Sequence, residues 1–488
     1  MFGKYPSLNK KAMKNLILFT LALFSSNLLW AQWEPDVRLT FDTAISTSSQ
    51  WGSWGIASRG DTVHVVWYDK RDDNYEIYYK RSTDAGLTWG ADTRLTNDLS
   101  YSRLPSIALS GSLVHIVWKD NRDGHYETYY KRSVNRGETW ENDVRLTNTP
   151  SYNSNTMSVS ACGLWVHVVW SINNSPLGPV IIRYKNSADG GLTWGPETWV
   201  TGALTLAFNP TVACSETNVY IVWRDVNSKH LFFNHSLDGG LIWGDETQLT
   251  DDLAIQPNYP SISVSGSVVH VVWNDRRDGD FRIYYKRSGD GGLTWCPDTR
   301  LTNNLDIETP PNIASKDSVI NIVWQDLRNA NYDIYFLRSS DAGLSWEPET
   351  QLTNDALDSK GPSVSISGSL SHVSWMDDRD GNFEIFYKRN PIGGVITGMN
   401  NGFSSINGNR MYLYPNPAST DVHFRFSDIS ERNSIITIQT ILGEEICSRP
   451  IQDYETVVDV SNLPNGLYFA GIKAGKKQTA TKKLIILK

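Results

Sequence analysis

The stretch Val268 to Thr302, VVHVVWNDRRDGDFRIYYKRSGDGGLTWCPDTRLT, recurs in close variants along most of the chain. A chain made of near copies of one unit folds as a stack or ring of one supersecondary element, which removes most other architectures at once. Variants of S-x-D-x-G-x-T-W run from Ser82 to Trp89, Ser133 to Trp140, Ser187 to Trp194, Ser236 to Trp243, Ser288 to Trp295 and Ser339 to Trp346. Upstream of each lies an apolar segment that ends in Trp67, Trp118, Trp170, Trp223, Trp273 or Trp324, and a further one ends in Trp375 with no box after it.

Each unit reads as four short strands, A to D. In the fifth these are Pro260 to Ser265, Val268 to Asn274, Phe281 to Ser288 and Pro297 to Thr302. The segments are β-branched and aromatic, and Gly, Asn and Asp separate them, so helices are excluded. One four-stranded sheet every ~50 residues is the pattern of a propeller blade. The chain ends fix the blade number. Trp33 to Thr40, WEPDVRLT, matches the D strand of the fifth unit, whereas the last unit, Pro362 to Arg389, lacks a D strand. Joining the two closes the ring without a free edge. The expectation is an all-β protein with a seven-bladed β-propeller over residues 33–390.

The formal net charge of -8 argues against a nucleic-acid partner. The 19 Trp and 22 Tyr suit stacked sheets, and they also suit contact with the flat faces of sugars. Residues 1–32 read as a signal peptide. Lys4, Lys10, Lys11 and Lys14 precede the apolar run Leu16 to Phe24, Ala31 is a small residue suited to cleavage, and Met13 is an alternative start. That run is too short to span a bilayer, and no later one is longer. Of the four cysteines, Cys162 and Cys214 end equivalent strands of consecutive units and form a candidate pair in an oxidising compartment. No Cys or His spacing suggests a metal site, and no cofactor is expected.

Residues 391–410 are rich in Gly, Asn and Ser and read as a linker. Residues 411–488 carry about seven short strand signals and turn signals at Pro415-Asn416-Pro417 and Pro464-Asn465-Gly466, as expected of a small immunoglobulin-like β-sandwich. YPNPAS at Tyr414 to Ser419, DVSNLPNGLYF at Asp459 to Phe469 and the terminal KKLIILK resemble the C-terminal sorting domain of the type IX (Por) secretion system. The resemblance implies a Gram-negative Bacteroidota cell, delivery to the outer-membrane surface or the medium, and a segment that serves delivery rather than chemistry.

The boxes themselves resemble the Asp box, or BNR repeat, of sialidases and other propellers. Physically the box is a hairpin between strands C and D. Asp84, Asp189, Asp238, Asp290 and Asp341 cap the turn, the following glycine accepts a positive φ, and the Trp wedges beneath. Six repetitions of one device indicate scaffold, and Asn135 in the second box is compatible with the same turn. In an antiparallel blade the C–D and A–B turns share one face, so the B–C and D–A connections share the other, where sialidase sites also lie by resemblance. On that face Arg71, Arg122, Arg277, Arg328 and Arg379 recur in a D-x-R pattern with acidic neighbours, which favours structural ion pairs. His64, His115, His167, His270 and His372 read as packing positions for the same reason of repetition.

A site is better sought where the repeat breaks. The third and fourth B–C loops lose the Arg, and the D–A connections vary most, through Trp51, Trp54, Tyr101, Arg103, Tyr152, Phe208, Tyr259, Glu308 and Lys360. Trp51, Trp54, Tyr101, Arg103, Tyr259 and Glu308 are the expected ligand-binding residues of a sugar-binding rim. The sialidase resemblance implies a Tyr nucleophile with a Glu base, an Asp acid/base and three arginines. Tyr259, Glu308 and Arg103 are the candidates for that chemistry here. The family's Arg-Ile-Pro precedes the first box, whereas Arg103-Leu104-Pro105 follows it, and Gly52-Ser53-Trp54 aligns with the family position. The sialidase ring has six blades against seven expected here. The reading is a secreted or surface monomer that binds or processes a glycan, with an active exo-sialidase or other glycoside hydrolase, or a protein-docking scaffold, as alternatives.

Overall fold

The computed structural model describes residues 33–48, 55–148, 154–173, 178–202, 205–251, 253–303, 310–390, 411–414, 418–426, 434–440, 445–451, 455–474 and 477–486. The expected signal peptide and linker, with Trp51, Trp54, Tyr152 and Glu308, fall outside them. Every regular element described is a strand, and the first unit holds seven antiparallel sheets in the order A-B-C-D. In the fifth blade the strands are Asn258–Ser265, Val268–Asp278, Asp280–Ser288 and Thr299–Arg300. The D strand is shorter than expected because the Thr302 hydroxyl, rather than a backbone carbonyl, takes the Ile283 N–H at 2.9 Å and ends the ladder. Thr40, Thr96, Thr147, Thr250 and Thr353 repeat the device.

Closure follows the expected route. Val37–Arg38 pairs with Tyr387 and Phe386 as the D strand of the last blade. Each A strand touches the A strands of both neighbouring blades, so seven of them form the inner wall of a channel. Serines stitch that wall: Ser58 Oγ lies 2.7 Å from Ser365 Oγ, and Ser263 Oγ lies 2.8 Å from Ser315 Oγ. Cys162 and Cys214 form a disulfide between consecutive A strands, with Cα atoms 6.1 Å apart. Trp67, Trp118, Trp170, Trp223, Trp273, Trp324 and Trp375 are fully buried, one per blade.

The box hairpins lock neighbouring blades together. In the first, Thr88 N–H and Ser82 Oγ donate to Asp84 at 2.8 and 2.7 Å, and Gly86 N–H donates to Ser82 Oγ at 2.8 Å. Asn135 receives the equivalent bond from Thr139 N–H at 2.9 Å, so that turn keeps its geometry. The Trp does more than sit beneath its own hairpin. Trp89, Trp140, Trp194, Trp243 and Trp346 pack edge-on against Tyr387, Tyr79, Tyr130, Tyr184 and Tyr285 of the preceding blade. Trp295 does so against Phe233, and Trp33 against Phe336 completes the set of seven at the closing blade. The box glycine presses on the same ring: a Cβ at Gly240, whose φ is +86°, would lie 2.0 Å from the Tyr184 hydroxyl. Only glycine tolerates both demands.

Strand parity is also visible in backbone hydrogen bonds. Ala85 and Gly291 N–H donate to the A–B turn carbonyls of Asp61 and Ser267 at 2.7 and 2.9 Å, so those turns share the box face. On the other face Ser102, Ser154 and Ser359 N–H donate to Tyr75, Tyr126 and Tyr332 carbonyls at 2.7 to 2.8 Å. There the start of each A strand is fastened to the preceding blade.

The second unit has two sheets. One holds Met411–Tyr414, Asp421–Phe426 and Glu455–Asp459, and the other holds Ser434–Thr440, Glu445–Pro450, Gly466–Ala474 and Lys477–Ile486. Val422, Phe424 and Val458 from the first meet Ile436, Ile438, Ala470 and Leu484 from the second in one core. That is the anatomy of a small sandwich.

Candidate functional site at the channel mouth

Four of the A strands carry a residue of positive φ at the mouth, directly before a proline: Leu104, Asn209, Tyr259 and Gly361. The register slips there, between Arg103 and Ser106, Phe208 and Thr211, Asn258 and Ser261, and Lys360 and Ser363. Proline cannot donate to the ladder, and the resulting bulge re-aims the side chains beside it. Register therefore sorts the mouth residues. Arg103 pairs with Lys119, Phe208 with Arg224, Asn258 with Asn274 and Lys360 with Met376.

This register corrects one alignment. In the first blade Ser46 and Thr47 pair with Asp69 and Tyr68, and the strand resumes only at Ile56. Thr47, rather than Gly52, occupies the place of Arg103, and residues 48–54 are longer than the two-residue bulge of the second blade. Tyr259 lies on the bulge position, half-buried, with its N–H on Asn258 Oδ1 at 3.1 Å.

Arg103 is the centre of the described mouth. Its guanidinium stacks 4.0 Å from the Tyr75 ring and 4.6 Å from the Tyr101 ring. Tyr75 in turn meets Tyr68 and Tyr101 edge-on at 5.6 and 5.8 Å. Burial, followed by the nearby Arg103 charge, pushes the Lys119 amine down to about 8. Lys119 Nζ reaches Asn155 Oδ1 of the next blade at 3.3 Å and lies 4.3 Å over Tyr126. Neither cation has a carboxylate within ion-pair distance among the described residues. The Arg103 Nε is buried and has no hydrogen-bond partner among the described residues.

The five D-x-R arginines differ from Arg103 in being neutralised. Arg71 bridges Asp69, Asp92 and Asp42 at 2.6 to 2.7 Å, and Arg277 bridges Asp275, Asp251 and Asp298 at 2.7 to 3.0 Å. Arg122, Arg328 and Arg379 are held in the same way, and each of the five stacks on a strand-C ring such as Tyr78 or Tyr284. These arginines are clasps. The repeated histidines are also structural: each Nδ1 meets the hydroxyl of a strand-C tyrosine, as in His270 and Tyr285 at 2.8 Å. Burial pushes all five imidazoles down to about 3.

Tyr68, Tyr75, Lys119 and Tyr126 were not singled out in the sequence. A signal existed in the aromatic residue at the entry to strand C, directly before it at Tyr75, Tyr126, Tyr332 and Phe383 and within its first residues at Phe281. Below the mouth the channel holds a cavity of about 170 Å³ whose walls include Ile107, Ala108, Val159, Ala161 and Val212. Its lining carries no ionisable side chain.

These features define the class: a seven-bladed β-propeller followed by a separate all-β domain. An ulvan lyase bound to -[GlcA(1-4)Rha3S]- superposes with a TM-score of 0.51 at 11% identity, over 72% of this chain and 95% of that one. A Hadza microbial sialidase gives 0.43 at 13% identity, over 67% and 73%, and the Trypanosoma rangeli sialidase 0.42 at 13%, over 62% and 56%. At these identities the likeness concerns the fold. Residues 412–487 match the family described as secretion system C-terminal sorting domain, so the chain carries a sorting domain of that secretion system. No curated protein matches the chain.

Proposed function

We propose that the protein is exported through the type IX pathway and binds carbohydrate at the channel mouth, around Arg103. The observation that carries the reading is the Arg103 guanidinium held between Tyr75 and Tyr101 with no carboxylate among the described residues to neutralise it. A repeated scaffold has no use for such a group, whereas a sugar-binding site needs flat apolar faces with a few directed donors. The sorting domain supports delivery to the medium or the outer-membrane surface of a Bacteroidota cell, and the propeller acts there as a monomer.

A glycan array probed with the full chain should give hits that Arg103→Ala and Tyr101→Ala weaken. A blank array would turn the reading toward a protein-docking scaffold. Turnover of a fluorogenic sialoside or another aryl glycoside would instead establish a glycoside hydrolase, with Tyr259 and Glu308 as the first residues to replace. Deleting residues 411–488 should leave the propeller in the periplasm. Surface delivery of the truncated form would remove the sorting role.

A further inference from the structure

We propose that the mouth holds an interior stretch of a linear anionic glycan, laid across several blades, rather than a single terminal sugar. The inference rests on the carbohydrate reading above and specifies the ligand. Its basis is that cation-on-ring pairs recur from blade to blade on this face. Lys360 Nζ lies 4.7 Å over Tyr332 and 5.6 Å over Phe383, Arg103 lies between Tyr75 and Tyr101, and Lys119 lies over Tyr126. The strand-C aromatics among them occupy one position of the repeat, so each blade from the sixth through the second offers one platform.

The platforms are joined. Phe383 carbonyl accepts the Ser46 N–H at 2.8 Å, Thr47 shares a hydrogen bond with Tyr68, and Tyr68, Tyr75 and Tyr101 follow in edge contact. The fifth blade adds Arg276 at 5.9 Å from the Phe281 ring, whereas the described pair of the third blade, Arg183 at 4.4 Å from Trp199, joins strands C and D away from the A strand. The mouth is therefore an arc rather than a symmetric funnel, and an arc of equivalent platforms matches a chain of equivalent sugars.

Charge specifies the chain. Arg103 and Lys119 are directly cross-strand, where like charges destabilise a sheet, and neither is neutralised by a described carboxylate. A protein of formal net charge -8 that places two uncompensated cations side by side at a partly desolvated mouth provides for carboxylate or sulfate groups on a ligand.

The test is calorimetric titration of the full chain with a size-graded series of oligouronates, from monomer to hexamer, and with their carboxyl-reduced counterparts. Affinity should rise by about tenfold or more between monomer and tetramer and fall at least as far on carboxyl reduction. Tyr332→Ala, remote from Arg103, should weaken the hexamer several-fold and leave the monomer unchanged, while Arg103→Ala weakens both. Equal affinity for monomer and hexamer, or a silent Tyr332→Ala, overturns the extended footprint while leaving carbohydrate binding intact. Tighter binding of the reduced oligomers overturns the anionic class. Binding of no member of either series, with a blank glycan array, sinks both readings together.

Discussion

The two faces of the propeller are made from the same repeat and behave differently. On the box face each residue has counterparts in other blades, and its partners repeat with it: Gly240 against Tyr184 is Gly191 against Tyr130 and Gly343 against Tyr285. On the mouth face the place held by Arg103 holds Thr47, Asn155, Phe208, Asn258 and Lys360 in other blades. Repetition marks the groups that every blade needs in order to close the ring. Variation marks positions that the ring leaves free for a ligand.

The sharpest way to break this contrast is to damage the repeated set and look for an effect on binding alone. Trp273 is fully buried, so Trp273→Ala should cost about 3–5 kcal/mol of stability by opening a cavity. Denaturant unfolding should report it, and glycan affinity of the folded fraction should be unaltered. A variant of normal stability that loses only binding would place Trp273 in the wrong category.

Arg277→Ala comes next. It leaves the buried Asp275 without its ion-pair partner, while Asp298 keeps Lys286 at 2.7 Å, and the penalty for such an uncompensated carboxylate is about 3 kcal/mol. Thermal unfolding of this variant should fall well below that of the parent, again without a change in ligand affinity. If binding is lost at unchanged stability, the D-x-R arginines belong to the site after all.

The fold was largely legible in the sequence because both of its signals are local. The boxes and the strand-B tryptophans mark every blade, and the match of Trp33 to Thr40 with the D strands foretold the closure. The site was less legible because it depends on register. Arg103 and Tyr101 were found as breaks in the repeat, but Lys119 is defined as a mouth residue only by its pairing opposite Arg103. Thr47 was displaced in the alignment because residues 48–54 interrupt the first A strand, and a one-dimensional spacing does not show where an insertion leaves the ladder. Tyr75 and Tyr126 were overlooked for the opposite reason, since their ring recurs in five blades and resembled scaffold.

The buried histidines give the scaffold a pH signature in the acid range. His64, His115, His167, His270 and His372 stay neutral in the fold down to about pH 3, whereas an unfolded chain protonates them near 6.5. Their contribution is fully present above 6.5 and is lost as the pH falls toward 3, at up to ~1.4 kcal/mol per pH unit for each imidazole. Equilibrium unfolding between pH 7 and 4 should show this slope, and His270→Asn should lower it by about one fifth. A stability that does not change over this range would mean that the imidazoles are accessible to protons in the fold.

The smallest expected effect discriminates best between the two faces. Arg103 forms no ion pair with a described residue, so Arg103→Ala should change stability by no more than about 0.5 kcal/mol, in contrast to Arg277→Ala. Its local effect should appear at Lys119. Removing a like charge raises the amine from about 8 toward its ordinary value, but only part of the way, because burial is the larger cause of its depression. In the parent protein the unfolded chain keeps this proton as the pH rises from about 8 to 10.5, while the folded state has released it. The linked stability therefore rises through that window, and the rise should shrink in Arg103→Ala. An NMR titration of the lysine side chains reads the shift directly. If the Lys119 amine titrates identically with and without Arg103, the two cations are not coupled, and the charge argument for an anionic ligand loses its foundation.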